Sequence, residues 1–321
     1  PPRPVCHSIL RDRLAHRWAM ADAPDLPDEP GLPDHHESLW VATSDTTDFD
    51  PLDGGLHADV AVVGGGITGL TTALRLKEAG TDVAVVEADR VVRGVTGHTT
   101  AKVTSQHGLR YASLVDSHDR ATARRYAEAN AAAVEAVADR ADSLDVDVEF
   151  ERTSAFTYTT DDREVEGIER EAAVAADLGL PASVVRSVDA PVDVAAALEF
   201  ADQAQFHPRK YLLALVDEIH GDGSHVFEET RATALDAGEP CRVTTDRGDV
   251  VADDVVVATH VPVFDRGAYF ARMEPMQSYL LAVEIAGDLP DGMYISATAD
   301  PLVTFRPRPD ADQELLLVGG Q

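Results

Sequence analysis

Val60-Ala61-Val62-Val63 is the first strongly patterned stretch of the chain, four apolar residues with no polar alternation. Such a run suits a strand covered on both faces, as in a parallel sheet. Ile67 to Ala79 then follows a helical period, with Leu70, Ala73, Leu74 and Leu76 on one face and Gly80 placed to end it. A second apolar run, Val83-Ala84-Val85-Val86, stops at Glu87. Strand, helix and strand at these lengths form a βαβ unit. The stretch 112–142 is Ala-rich and heavily charged and predicts one or two long helices.

From about residue 148 the texture changes. Val148 to Thr159 alternates and is rich in Phe, Tyr and Thr, which predicts an antiparallel strand. A helix over 161–179 is closed by Gly179 and Pro181, and Tyr211–Ile219 forms another. Arg242–Thr245 and Val250–Thr259 read as a hairpin returning to the first unit, and strands at 278–286 and 302–306 belong to the second. There are no internal repeats. The pattern is α/β: a Rossmann-like nucleotide domain with a parallel sheet, interrupted by an α+β domain with a mainly antiparallel sheet. Residues 1–56 are expected to be a lead-in, with Pro24, Pro27, Pro30 and Pro33 keeping its start extended. The nucleotide domain covers 57–147 and 206–275, with 313–321 starting its last segment. The second domain covers 148–205 and 276–312.

Composition changes the setting more than the fold. At 321 residues and 44% hydrophobic, the chain can bury a substantial core. Its 57 acidic residues outnumber 27 Lys and Arg, for a formal net charge of −30, and Lys77, Lys102 and Lys210 are its lysines. Repulsion at that density opposes a compact state, and molar salt removes it by shrinking the Debye length to about 3 Å. Acidity spread along the chain with lysine depleted resembles proteins of organisms that hold molar salt inside the cell, so a halophilic archaeon is the expected source. The same charge argues against a nucleic-acid partner. No apolar run is long enough to span a bilayer and no secretory signal is visible, so the expected location is the cytoplasm. Cys6 and Cys241 have no paired spacing, and no metal site is expected from these residues.

Between the two apolar strands, Gly64-Gly65-Gly66-Ile67-Thr68-Gly69 fits G-x-G-x-x-G. Gly64 makes the tight turn, Gly66 admits a pyrophosphate to the backbone, and Gly69 lets the helix lie on the strand. The first-turn N–H groups and the helix dipole favour phosphate there. Glu87, near the roughly 20-residue spacing expected of a ribose-binding carboxylate, completes a dinucleotide site and disfavours a phosphorylated ribose. The next loop, Arg93-Gly94-Val95-Thr96-Gly97-His98-Thr99-Thr100-Ala101-Lys102, is rich in small and hydroxylated residues that could serve a second stretch of an extended cofactor.

In these segments the chain resembles the D-amino-acid oxidase and glycine oxidase superfamily of FAD enzymes. The likeness runs from Val60–Val63 through Gly64–Gly69 and Glu87 to Arg93–Gly97. It resumes at Phe206-His207-Pro208-Arg209-Lys210-Tyr211-Leu212 and at the strand Asp254–Thr259. Thr96–Thr104 with Gln106-His107-Gly108 is similar to a subgroup carrying an additional Rieske iron–sulfur domain. The resemblance implies FAD with its pyrophosphate over Gly64, Gly66, Ile67, Thr68 and Gly69, and its adenosine ribose on Glu87 beside Ala88. Arg93, Gly94, Thr96, Gly97, His98, Thr99, Thr100 and Lys102 would lie toward the flavin. The segment around Ala232 would pass the adenine, and Ala258–Thr259 the pyrophosphate. It also implies a final stretch after Gly319-Gly320 that is not in this sequence. A fragment is therefore expected, with a Rieske [2Fe–2S] centre in the missing C-terminal region as an open alternative.

The flavin would accept hydride from a small amine, amino acid or related substrate while the protein positions and tunes it. His98 could link the flavin covalently, as in some relatives, or simply bond a phosphate or the backbone. Arg306, on a strand the resemblance places over the flavin, could clamp a substrate carboxylate in a bidentate pair. Tyr279 and Tyr294 could line the same pocket, although core or surface positions serve equally. His207 is expected to be structural, and His107 and His260 are weaker candidates. Two other functions remain open from the sequence: electron transfer to a Rieske acceptor, and a non-catalytic nucleotide-binding protein. An NAD enzyme leaves the Thr96–Thr100 loop unexplained.

Overall fold

A computed structural model describes residues 37–264, 267–274, 276–285, 288–298, 302–309 and 314–320. Of the expected lead-in over residues 1–56, residues 1–36, with Cys6, lie outside them.

The chain enters through a short helix α1 (Leu39–Ala42) and crosses to β1 (Leu56–Val63). The first half of β1 alternates in exposure, and Val60–Val63 are buried throughout. Val60 and Val62 pack into a core with Leu70, Ala73 and Leu74 of α2 (Ile67–Glu78), while Ala61 and Val63 face a second core containing Leu52, Val243 and Val250. Two covered faces are why the run carries no polar alternation. β2 (Val83–Val86) is buried at every position, β3 (Lys102–Val103) is a short stub, and α3 (Arg110–Ser117) and α4 (Arg120–Ser143) follow. The side chain of Asp119 caps α4 by accepting from Thr122 N at 2.7 Å.

β4 (Glu151–Thr159) leads to α5 (Val165–Asp177), β5 (Ala182–Val185), β6 (Ala196–Gln205) and α6 (Pro208–Ile219). α6 begins three residues before the expected start. Pro208 occupies its first turn, and the His207 imidazole accepts from Lys210 N at 3.2 Å as the cap. β7 (His225–Phe227), β8 (Ala232–Asp236), β9 (Cys241–Thr245) and β10 (Asp249–Val257) come next, so the expected hairpin is a three-stranded meander. β11 (Tyr279–Glu284), β12 (Met293–Ser296), β13 (Val303–Pro309) and β14 (Glu314–Gly320) complete the described chain.

Two sheets organise these strands. The first has the order β7-β2-β1-β10-β9-β8, parallel from β7 to β10. The second runs β11-β14-β13-β12-β4-β6-β3 with β5 also on β6, and β12–β4 is its parallel pair. This is the expected mixed α/β architecture. Segment 313–321, expected to begin the last piece of the nucleotide domain, instead supplies β14 between β11 and β13. Its Leu315–Val318 run is buried there. On the other side of the second sheet, the Ala-rich α4 contributes Ala123 and Ala127 to a core with Ile168, Leu198 and Phe200.

Lys77, near the end of α2, ties that helix to α6. Its ammonium donates to the carbonyls of Glu218, Ile219 and Gly221 at 2.9–3.0 Å, satisfying the C-terminal acceptors of α6. Among the described residues, no helix is long and apolar enough to cross a membrane.

Candidate functional site

The ends of three parallel strands define the site. Register pairs Val63 with Val86 on one side and Val257 on the other, so the chain leaves the sheet together at Gly64, Glu87 and Ala258. This is where open α/β sheets bind ligands. Gly64 has φ +115°, and a Cβ there would stand 2.5 Å from the Ala258 carbonyl oxygen. Its N–H donates to Val86 O at 2.9 Å, and Ala258 N donates to Val63 O at 2.8 Å. Gly69 lies directly over this turn: a Cβ would overlap the Gly64 carbonyl oxygen and sit 3.3 Å from Val62 Cγ1. Gly66 is the N-cap of α2 and brings no capping side chain. The first-turn N–H groups therefore face outward beside exposed Ile67 and Thr68. Such an end suits phosphate oxygens.

Glu87 reaches back over the turn. One carboxylate oxygen accepts from Gly65 N at 2.7 Å and the other from Asp89 N at 3.0 Å, with Ala88 half-buried between them. The glycine turn, a helix start with glycine as its N-cap and a carboxylate at the end of β2 together fit a dinucleotide. Ala258 and Thr259 are at the turn, with the Thr259 hydroxyl donating to Val261 O at 2.8 Å. Ala232 is farther along, opening β8 opposite Thr245, although Thr230 N donates to Glu87 O at 2.8 Å.

The next loop is pinned to this turn, Val92 N donating to Gly65 O at 2.9 Å. Arg93 and Gly94 are exposed, and a single 3-10 turn spans Val95–His98. Thr96 Oγ1 accepts from Ile67 N at 3.2 Å, joining the loop to the helix start. His98 is exposed, with Nδ1 2.9 Å from Gly94 O. A carbonyl only accepts, so Nδ1 carries the proton and Nε2 is the basic nitrogen, free to act as acceptor or nucleophile. The Thr99 carbonyl accepts from Trp40 Nε1 at 2.7 Å and the Thr100 carbonyl from Arg306 Nη1 at 2.9 Å.

Lys102 and Arg306 differ from their expected roles. Expected toward the flavin, the Lys102 ammonium is instead taken up by the second sheet, donating to Tyr294 O at 2.6 Å and to the Thr304 hydroxyl. Burial, reinforced by the neighbouring Arg306 charge, brings its pKa down to about 7. Arg306 is 2% exposed and donates to Gln205 Oε1, Thr100 O and Phe206 O at 2.9–3.0 Å, with its guanidinium 5.0 Å from the Trp40 ring centre. The expected open fork for a substrate carboxylate is thus a buried tie between the loop and the sheet, because the curled sheet brings β13 over β6. Burial and the Arg308 charge lower its pKa to about 9.

Tyr279 is 64% exposed on β11. Tyr294 is buried against Phe156, its hydroxyl donating to Asp291 O at 2.5 Å. His207 caps α6 as expected, and burial drives its pKa down to about 4. His107 meets the Tyr126 hydroxyl at 2.8 Å, and His260 is exposed. Among the described residues, no cluster of His, Cys, Asp and Glu could hold a metal.

The low pKa of Lys102 has a stability signature. Between pH 7 and 10.5 the unfolded lysine holds a proton that the folded one releases, so stability rises with pH across that window. The expected slope is about 1 kcal/mol per pH unit at mid-window, and Lys102→Met should flatten it. Urea unfolding of both proteins at about pH 7 and about pH 10 measures the difference; equal slopes would refute it.

Two side chains that organise the loop were not among the candidate site residues, although Arg209 lies in the resemblance segment Phe206–Leu212. Glu228 is fully buried and accepts from the Thr47 hydroxyl, Phe49 N (3.1 Å), Val91 N (2.7 Å) and Arg90 Nη1 (3.0 Å). Arg209 is also buried and donates to Val92 O (3.0 Å), Asp45 O (2.8 Å) and Ser44 Oγ (2.7 Å).

Comparison with known proteins agrees with this geometry. The family described as FAD dependent oxidoreductase matches residues 59–321. A protein of Bacillus subtilis named as a Rieske 2Fe-2S iron-sulfur protein, YhfW, is 35% identical over 286 residues, covering 88% of this chain and 56% of its own. Gamma-glutamylputrescine oxidoreductase of Escherichia coli is 28% identical over 242 residues, covering 73% of this chain and 57% of its own. The chain thus spans little more than half the length of these relatives. Among solved structures, L-proline dehydrogenase from P. horikoshii superposes with a TM-score of 0.61 at 18% identity, covering 84% of this chain and 70% of that one. Glycine oxidase from Geobacillus kaustophilus gives 0.58 at 17%, covering 83% and 71%. At these identities the structural likeness bears on the fold alone.

Proposed function

The chain belongs to the family of FAD-dependent oxidoreductases, and from that premise we propose that the whole protein passes a hydride from a small amine, amino acid or related compound to FAD held across the glycine turn. The observation that carries this reading is the convergence of Gly64, Glu87 and Ala258 at three adjoining strand ends, beside a helix start whose N-cap is a glycine. Bound FAD would supply the two-electron acceptor. The chain's own residues would hold and orient it. Gly66, Thr68 and Gly69 would offer backbone N–H groups to the pyrophosphate, with Ile67 N held beside them by Thr96 Oγ1; Ala258 and Thr259 would flank it, and Glu87 would take the ribose hydroxyls. Thr96, Gly97, His98, Thr99 and Thr100 would line the flavin side, with Arg93 and Gly94 at their entrance. Residues 57–147 and 206–275 would then form the FAD-binding domain, and 148–205 with 276–312 the substrate domain.

The test is chromophore release and reduction. Protein purified in molar salt and denatured should release FAD, and amines or amino acids should bleach the bound flavin without oxygen. Colour remaining on acid-precipitated protein would assign a covalent link to His98, whose Nε2 is the available nucleophile. A colourless folded protein that retains NAD would overturn the reading.

One observation favours a second reading, in which the flavin passes electrons on to a Rieske centre: the relative in Bacillus subtilis carries that name. About two irons per flavin in the complete protein would support it.

We further propose a halophilic archaeal cytoplasm as its setting, on the strength of the net charge of −30. Thermal midpoints should then climb by on the order of 10 °C between about 0.1 M and about 2 M KCl, as screening relieves repulsion. A midpoint indifferent to salt would remove that support.

A further inference from the structure

The residues ahead of β1 lie across the outer side of the loop at 91–100. Ser38 Oγ donates to Gly97 O, Trp40 Nε1 to Thr99 O, and Arg306, stacked on the Trp40 ring, to Thr100 O. Three of the four carbonyls from Gly97 to Thr100 are therefore engaged, two by this segment and one by Arg306. Each peptide plane is fixed by its carbonyl, so these bonds set which way the intervening N–H groups and threonine side chains face. The other side of the loop is where Thr96 Oγ1 meets Ile67 N at the helix start.

The same segment continues along the loop's base. Thr43 Oγ1 lies 3.0 Å from His207 Nε2, and His207 Nδ1 already accepts from Lys210 N, so the His207 Nε2–H donates to the threonine. Ser44 Oγ and Asp45 O accept from Arg209, which also bonds Val91 O and Val92 O at the loop's start. The Thr47 carbonyl accepts from Arg90 Nη1 at 2.8 Å. Trp40 is fully buried, edge-on to His207 at 4.9 Å and 5.7 Å from the Arg308 guanidinium. Burying guanidinium groups is a poor way to gain stability alone, since apolar packing of equal volume serves as well. Directional bonds to carbonyls instead select one loop conformation.

We propose that residues 38–49 form a positioning strap for the flavin loop, with Trp40 as its central positioning residue and Ser38 as its second anchor. The strap rests on the FAD reading above and extends it to residues outside the nucleotide motif. It holds the loop in the conformation that receives FAD, so loosening it raises the dissociation constant for FAD and changes the flavin's surroundings while leaving the fold intact.

The experiment compares full-length wild type with Trp40→Phe, which keeps a ring and loses the Nε1 donor, and Ser38→Ala, which loses the hydroxyl. Glu171→Gln serves as the control. Glu171 bonds Tyr111 N and Ala112 N in the core of α3 and α5, so its change lowers stability without touching the strap. FAD affinity is read by titrating flavin-stripped protein in molar salt, alongside the visible spectrum of the bound flavin and far-UV circular dichroism. Trp40→Phe, which loses one hydrogen bond, should weaken FAD about 5- to 10-fold, and Ser38→Ala, which loses the bond to Gly97 O and the cap on Trp40 N, about 3- to 10-fold. Both should alter the visible band, and Glu171→Gln should leave affinity and spectrum unchanged. Wild-type affinity and spectrum in both strap variants would overturn the strap. So would a control variant that weakens FAD as much as they do. Wild-type protein that binds no FAD would instead overturn the functional reading itself, and the strap with it.

Discussion

Gly69→Ala is expected to cost the protein its flavin. The added methyl group would overlap the Gly64 carbonyl oxygen, 3.1 Å from its carbonyl carbon and 3.3 Å from Val62 Cγ1. None of these neighbours is a flexible side-chain end, so relief requires α2 to move off β1. That movement strips Leu70, Ala73 and Leu74 from their core and carries the first-turn N–H groups away from the phosphate position. Overpacking of this kind costs about 1–3 kcal/mol. The effect on FAD is larger, because both the oriented donors and the close approach at Gly66 depend on where the helix sits. A fall of about 100-fold in FAD affinity is expected, seen as colourless protein on purification. Gly64→Ala should act similarly through its positive φ and the Ala258 carbonyl. Normal flavin content in both variants would show that α2 does not carry the phosphate.

Glu228→Ala should produce the largest loss of stability among single side-chain truncations around the loop. The carboxylate is wholly buried and serves Phe49 N, Val91 N, the Thr47 hydroxyl and Arg90. Arg90 is part-exposed and keeps Asp48 at 2.8 Å, so its charge finds other company. The two backbone N–H groups have no such recourse, and each buried donor left without an acceptor costs about 1–3 kcal/mol. With the empty volume, the total comes to about 3–5 kcal/mol. Glu228→Gln retains one acceptor oxygen and should lose roughly half as much. Urea unfolding in molar salt measures both. A loss below about 1 kcal/mol for Glu228→Ala would mean that water or a shifted side chain replaces the carboxylate.

What was legible in the sequence was contiguous. Strand, glycine turn, helix, second strand and Glu87 fall within about thirty residues, the extent of one βαβ unit, and each signal has a local cause. Glu228 and Trp40 are different. Their partners are brought near by tertiary packing, and a glutamate in a chain with 57 acidic residues carries no distinguishing mark. β6 escaped because its Ala, Gln, Glu and Asp content has little strand preference, and the neighbouring β4 and β5 impose the conformation. Arg306 was placed on the right strand but given the wrong surroundings. Nothing local reveals that the sheet curls until β13 meets Gln205 and Phe206.

The pairing of β1 with β10 also bears on how the molecule comes into being. Val63 lies beside Val257, so a ribosome must make the intervening residues 64–256 before β1 gains the neighbour that completes its turn. Until then, one edge of the apolar Val60–Val63 run is uncovered, and contacts between such distant residues form slowly. The dense negative charge on the nascent chain would keep such unfinished copies apart during that interval. Maturation of the phosphate cradle is thereby a late event, timed by the synthesis of Ala258 rather than by that of the glycines themselves.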